Sequence, residues 1–197
     1  MPIRDKVNYI RFNEGLPRRP LRSHDMPELK PFLPAEEIDR LVSDLARRVS
    51  ADYRGRELVL VAVLKGAFIF LADLARKLSI PAKIDFLQAA SYGSGTASSG
   101  RVRLTKELEI DIHDKDVLLV EDIIDTGLTI DYLLGYLRSF HPRSLAVCAL
   151  IDKRERRERD LPAAYVGRVV DRGFLVGYGL DHAEAYRNLP GIYELNR

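Results

Sequence analysis

Between Glu121 and Thr129 the chain reads Glu-Asp-Ile-Ile-Asp-Thr-Gly-Leu-Thr, a set of residue types suited to an anionic, hydroxyl-bearing ligand. Glu121 and Asp122 offer adjacent carboxylates that can accept from a diol or ligate a magnesium ion. Asp125-Thr126-Gly127-Leu128-Thr129 then makes a small-residue turn leading into apolar positions at helical spacing, Ile130, Leu133, Leu134 and Leu137. A helix starting there leaves its first N–H groups unpaired and points its positive dipole end at the turn, which favours a phosphate. Gly127 permits close backbone approach, while Thr126 and Thr129 add hydroxyl donors. The preceding Val117 to Val120 is a continuous apolar run, as in a parallel strand covered on both faces, and the two acids end it.

By itself this is a strand, an acidic turn and a capped helix, which describes many α/β proteins. Asp-Thr-Gly also marks aspartic proteases, but there it sits among β-strands and no helix follows. Other residues with chemistry to offer stand just after apolar runs. Lys65-Gly66 closes Leu58 to Leu64, and Lys153 follows the run Ser144 to Ile151. Asp181 ends Phe174 to Asp181, which reads as a glycine-interrupted core strand. Each has a plain alternative: a turn for Lys65-Gly66, and a solvated loop for the mixed charges of Asp152 to Asp160. Ser91 and Tyr92 open a stretch to Gly100 made mostly of Gly, Ser and Ala, whose composition is that of a flexible linker.

The elements that must position these groups follow from periodicity. Helical spacing runs from Pro34 through Ile38, Leu41, Val42, Leu45, Ala46 and Val49, over Ala67 to Leu78, and over Ile130 to Phe140. Strand-like runs are Leu58 to Leu64, Ala82 to Ala90, Arg101 to Leu108, Val117 to Val120, Ser144 to Ile151 and Tyr165 to Val170. Alternating strands and helices predict an α/β fold, a mainly parallel sheet flanked by helices, with ligands at the carboxyl ends of the strands. Every candidate falls at that rim.

A hydrophobic share of 46% with 30% charged residues belongs to a globular domain, and 197 residues suffice for one. Basic residues interleave with acids and the net charge is only +2, so no nucleic-acid surface is called for. The single Cys148 lies in an apolar run and reads as a buried thiol without a disulfide partner. With no membrane-length apolar run and no signal-peptide core, a cytoplasmic setting is expected. Residues 1–31 hold five of the ten prolines and little periodicity, so they are expected to form an extended arm, with the domain proper spanning 32–197. Zinc spacing, dinucleotide-binding glycines and a Gly-x-x-x-x-Gly-Lys loop are all absent from the sequence.

The string Val-Leu-Leu-Val-Glu-Asp-Ile-Ile-Asp-Thr-Gly-Leu-Thr resembles the diphosphate-sugar motif of the phosphoribosyltransferases, in particular their hypoxanthine-guanine branch, and the resemblance extends from Phe32 onward. It implies the type I phosphoribosyltransferase fold with a small hood from the C-terminal segment. The implied reaction moves 5-phosphoribosyl from phosphoribosyl diphosphate to N9 of hypoxanthine or guanine, with Mg2+ as cofactor and pyrophosphate as product.

Under that resemblance Asp125 to Thr129, Leu128 included, hold the 5-phosphate, and Glu121 and Asp122 bind ribose hydroxyls and, with Asp181, magnesium. Lys65, Gly66 and Arg187 grip pyrophosphate, with a cis peptide at Leu64-Lys65. Ser91 and Tyr92 begin a lid. Lys153 donates to the purine 6-oxygen, Phe174 stacks on the ring, Leu175 offers backbone groups to its edge, and Asp125 meets the N7 proton. A homodimer or homotetramer is implied, with no nucleic-acid or membrane partner. A transferase for another base, or an RNA-binding regulator on the same fold, would share much of this pattern. Ala67 and Leu128 depart from what other members carry, and neither is asked for a side-chain function.

Overall fold

The computed structural model describes residues 28–92 and 101–196. Most of the expected arm and the loop beyond Tyr92 lie outside them. In chain order the elements are β1 (Leu29–Leu33), α1 (Ala35–Asp52), β2 (Leu58–Leu64), α2 (Phe68–Lys77), β3 (Ala82–Tyr92), β4 (Arg101–Lys106), β5 (Asp116–Ile124), α3 (Leu128–Arg138), β6 (Ser144–Lys153), β7 (Tyr165–Val170), β8 (Leu175–Val176) and β9 (Ile192–Leu195). The central sheet has the order β4-β3-β2-β5-β6-β7. Its neighbours are parallel except for the edge pair β3–β4, which is antiparallel.

Both faces of the sheet are covered, which is why its central strands read as unbroken apolar runs. Leu58, Leu60 and Ala62 of β2 face a core built with α1 and α2, whereas Val59, Val61 and Val63 face a second core built with α3. A Val or Leu on β2 therefore gains about 1.5–3 kcal/mol by burial whichever way it points. α1 buries Ile38, Val42, Leu45, Ala46 and Val49 at three- and four-residue steps, and Glu36 and Glu37 complement the dipole of its first turn. From β2 the chain winds outward to β3, then returns to β5 and winds the other way to β6 and β7. The carboxyl ends of β2 and β5 thus flank a topological switch point, where crevices form in open α/β sheets.

Several boundaries differ from the sequence reading. β5 continues to Ile124, so Glu121 and Asp122 lie inside the strand and do not end it. β6 reaches Lys153, making that lysine the last strand residue. β3 runs two residues past Ala90, while β4 stops short of Leu108. The main correction concerns Phe174 to Asp181. Only Leu175–Val176 is strand, and it belongs to a separate three-stranded antiparallel sheet of order β1-β9-β8. Gly177 and Gly179, at φ 99° and 101°, turn the chain out of β conformation. This sheet is the hood, and its outer strand comes from the N-terminal side. Leu29 pairs with Leu195, so Leu29 to Pro31 belong to the hood and not to an arm. Buried Tyr178 ties the hood to α2 by donating to Asp73 Oδ2 at 2.6 Å. Among the described residues no helix is long and apolar enough to cross a membrane.

Candidate active site

Consecutive strand residues point to opposite faces, and this separates the two acids of β5. Glu121 lines a cavity of about 90 Å3 together with Asp125, Thr126, Gly127 and Thr129. Asp122 lines a larger one, about 320 Å3, with Lys65, Gly66, Lys153, Phe174, Leu175, Asp181 and Arg187 among its walls. The acids are therefore not a joint pair but serve adjoining compartments. Asp125 lines both.

Both acids are costly to ionise where they stand. Burial, then the charge of Asp122, raises Glu121 well above the usual carboxylate range, and its Oε2 is buried with no hydrogen-bond partner. Burial also pushes Asp122 up to about 6, opposed by the Ile123 N–H that donates to its Oδ1 at 2.9 Å and by the Arg187 charge. Asp122 is reached closely from one side. A Cβ on Gly66 would stand 2.0 Å from its Oδ2, and a Cβ on Gly179 would stand 2.1 Å from the Gly66 carbonyl oxygen. Sheet, post-β2 loop and hood are thus stacked through two glycines.

The small cavity is shaped by the turn before α3. Gly127 takes φ 85°, and its bare Cα lets the backbone of Arg159 approach, since a Cβ would meet the Arg159 oxygen at 2.8 Å. Thr126 Oγ1 accepts from the Leu128 N–H at 3.3 Å, which leaves the hydroxyl proton available to a ligand. Leu128 itself does not line the cavity. The loop after β6 clamps this turn: the Glu158 and Arg159 N–H groups both donate to the Thr126 carbonyl, at 2.9 and 3.0 Å.

That loop was expected to be solvated, and most of its charges are. Arg157 is not, with a side chain only 10% exposed. Its guanidinium donates to the carbonyls of Asp125 at 3.0 Å, Ile124 at 3.2 Å and Lys153 at 2.9 Å, and pairs with buried Asp152. Arg157 therefore fastens the end of β5 to the end of β6. Sequence reasoning missed it because nothing in an alternating-charge run singles out one arginine for burial.

In the larger cavity, the Leu64–Lys65 peptide is cis. Lys65 Nζ lies 3.0 Å from Glu184 Oε2, and that carboxylate is held below its usual range by the lysine. Arg187 donates to the Gly179 carbonyl at 2.7 Å and pairs with Asp181 at 2.8 Å. Lys153 Nζ, its side chain 8% exposed, stands 3.6 Å from both Asp125 Oδ1 and Glu155 Oε2. Arg156, also missed, approaches Asp125 Oδ2 at 3.5 Å from the cavity wall. Phe174 is steadied by His182, whose ring meets it edge-on at 5.3 Å between centroids. Leu175 lines the same cavity from β8. Ser91 and Tyr92 pair in backbone register with Val102 and Arg101, and the lid expected beyond them lies outside the described residues.

Glu121, Asp122 and Asp181 do not converge on one point, and among the described residues no three carboxylate, histidine or cysteine groups form a cage for an ion. The donors still fit magnesium, which retains waters and takes one or two carboxylates plus substrate oxygens. Asp122 and Asp181 share the larger cavity, and an unpaired, buried Glu121 oxygen suits a hydroxyl or water donor.

Comparison with known proteins agrees with this arrangement. The phosphoribosyl transferase domain matches residues 32–183. The hypoxanthine-guanine phosphoribosyltransferase of Mycobacterium avium is 46% identical over 171 residues, 84% of each chain. The hypoxanthine phosphoribosyltransferase of Salmonella typhimurium is 45% identical over 163 residues, 82% of this chain and 92% of that one. Among solved structures, a hypoxanthine phosphoribosyltransferase from Staphylococcus aureus superposes with a TM-score of 0.82 at 40% identity, covering 88% of this chain and 94% of its own. With the β2–β5 crevice, the turn before α3 and the hood all in place, the chain belongs to the phosphoribosyl transferase family, in its hypoxanthine-guanine branch.

Proposed function

We propose that the chain transfers 5-phosphoribosyl from phosphoribosyl diphosphate to N9 of hypoxanthine or guanine, giving the nucleoside monophosphate and pyrophosphate. The observation that carries this reading is that Asp125 lines both cavities, with Lys153 Nζ 3.6 Å away in the wall of the larger. A sugar phosphate in the smaller cavity and a base against Lys153 and Phe174 would meet at that carboxylate.

In this reading the backbone from Asp125 to Thr129 and the hydroxyls of Thr126 and Thr129 take the 5-phosphate, at the positive end of the α3 dipole. Glu121 and Asp122 serve the ribose hydroxyls from their two sides of β5. Lys65, the Gly66 backbone and Arg187 take the diphosphate. Lys153 donates to the 6-oxygen; an ammonium has only donors, so it satisfies a 6-oxo group and repels a 6-amino group. Phe174 covers the ring, and Leu175 bounds its edge from β8. As the C1′–oxygen bond to diphosphate breaks and the C1′–N9 bond forms, the sugar carries positive charge, which nearby carboxylates stabilise. The base loses one proton, and Asp125 accepts or holds it at N7. Asp122 and Asp181, with Glu121 in support, would hold magnesium, which when bound would supply charge neutralisation for the leaving diphosphate.

The test offers purified protein, magnesium and phosphoribosyl diphosphate to hypoxanthine, guanine, xanthine, adenine and uracil in turn. Nucleotide should form with one or both of the first two, and no product from either would overturn the reading.

A further inference from the structure

We propose that Glu184 is a stand-in anion: its carboxylate holds Lys65 and Arg187 as a diphosphate would, and an arriving diphosphate displaces it. The inference rests on Lys65 and Arg187 being the diphosphate contacts.

A single carboxylate oxygen bridges the two cations. Glu184 Oε2 lies 3.0 Å from Lys65 Nζ and 3.4 Å from Arg187 Nη2, although the lysine belongs to the loop after β2 and the arginine to the hood. The guanidinium is the fixed member. Its side chain is 19% exposed and anchored on the Gly179 carbonyl, and its buried Nε has no hydrogen-bond partner among the described residues. The carboxylate is the movable member, 65% exposed, so it can rotate into water without disturbing the core.

The backbone beneath it supports a contact retained for its own sake. His182 and Ala185 exchange backbone hydrogen bonds at 3.2 and 3.0 Å around Ala183 and Glu184, which take φ 50° and 64°. Two central residues at positive φ are what a type I′ turn requires, and Asn-Gly fills that role at least cost. Ala-Glu is a poor local choice, yet it aims a carboxylate between two cations that would otherwise repel each other. A diphosphate carries more charge and more acceptor oxygens than one carboxylate, so it outcompetes Glu184 for both. Once it is bound, Glu184 is a like charge a few ångströms away and lowers the affinity for diphosphate.

Titration of the full chain with inorganic pyrophosphate in the presence of magnesium, followed by calorimetry, tests this. Glu184→Gln should bind pyrophosphate about fivefold more tightly, the size expected for removing one like charge at close range near solvent. Glu184→Ala should behave the same way, and the KM for phosphoribosyl diphosphate should fall by a similar factor. In a Lys65→Ala background the gain from Glu184→Gln should be smaller than in the unaltered chain, because one of the two pairings it relieves is already gone while that with Arg187 at 3.4 Å remains. Unchanged or weaker pyrophosphate binding by Glu184→Gln, beside measurable binding by the unaltered chain, overturns the stand-in role alone. Failure of the unaltered chain itself to bind pyrophosphate overturns the diphosphate assignment beneath it.

Discussion

Lys153 Nζ and Asp125 Oδ1 stand 3.6 Å apart, so the cation proposed to read the base and the carboxylate proposed to meet its proton form one partly buried ion pair across neighbouring strand ends. Each neutralises the other where an isolated charge would be costly. Replacing Asp125 by Asn keeps the shape but removes the proton acceptor. Steady-state kinetics should show kcat reduced by about 100-fold or more. The KM for phosphoribosyl diphosphate should stay within about threefold, and an equal loss in both would move Asp125 from proton handling to binding.

In the proposed reading the other half of the pair governs which base is taken. Lys153→Gln exchanges a donor-only ammonium for an amide that both donates and accepts. The ratio of kcat/KM for hypoxanthine over adenine should fall by about tenfold or more. An unchanged ratio would show that another group reads the 6-position.

Asp122 makes stability depend on pH in the direction opposite to that of most carboxylates. Burial lifts it to about 6 in the folded chain from an ordinary 3.8, so the folded state binds the extra proton between those values. Stability therefore falls as pH rises from about 4 to 6 and stays lowered above, and the raised Glu121 extends the fall upward. Glu57, lowered to about 2, and Asp85, also lowered, act below this window. Asp122→Asn keeps an acceptor for the Ile123 N–H. Without ligands it should gain up to about 2–3 kcal/mol at pH 7.5 and nothing near pH 4, as read by thermal melts across that range.

Gly66 and Gly179 join three layers with no room for a side chain. Gly179→Ala would place a Cβ 2.1 Å from the Gly66 oxygen at φ 101°, which is strained for any L residue. Urea denaturation should show a loss of about 3 kcal/mol or more. Gly66→Ala should be as damaging to activity, because the atom it would strike is the Asp122 carboxylate.

Arg157→Met would leave Asp152, buried at 3% exposure, with Arg154 at 2.6 Å as its remaining cationic partner, and would release three carbonyls. Stability should fall, by less than the ~3–5 kcal/mol of a buried charge left wholly unpaired. Because the guanidinium holds the ends of β5 and β6 together, kcat/KM should fall for the base and the sugar diphosphate alike. Arg157→Lys should not restore it, since an ammonium cannot span four acceptors in a planar fork.

The sequence was most legible where period and burial agree. Leu58–Leu64 and Tyr165–Val170 were readable to the residue, because a short apolar run bounded by turn residues has one reading in an α/β context. It was least legible in the hood. Phe174 to Asp181 looks like a core strand until two glycines at positive φ divide it, and no local pattern marks Leu29–Leu33 as the partner of Ile192–Leu195. The site showed the same division. Lys65, Asp125, Lys153, Phe174 and Arg187 line one cavity, whereas Glu121 and Asp122, adjacent in sequence, separate because a strand sends neighbours to opposite faces. Arg157 and Glu184 act through contacts with residues remote in the chain or through an unusual turn, and neither leaves a trace in composition.

The pairing of β1 with β9 has a consequence for how the molecule is made. The central sheet is assembled from strands between Leu58 and Val170 and can close while the chain is still being synthesised, but the hood needs segments from both termini of the described chain. Leu29–Leu33 emerges before the central sheet and must wait for Ile192–Leu195, which follows all of it. Phe174, Arg187 and Glu184 therefore take their places after the turn before α3 has formed. A ribosome-bound chain not yet extended to Ile192 would own the turn before α3 but no finished hood, so the smaller cavity would have its walls before the larger one had its roof.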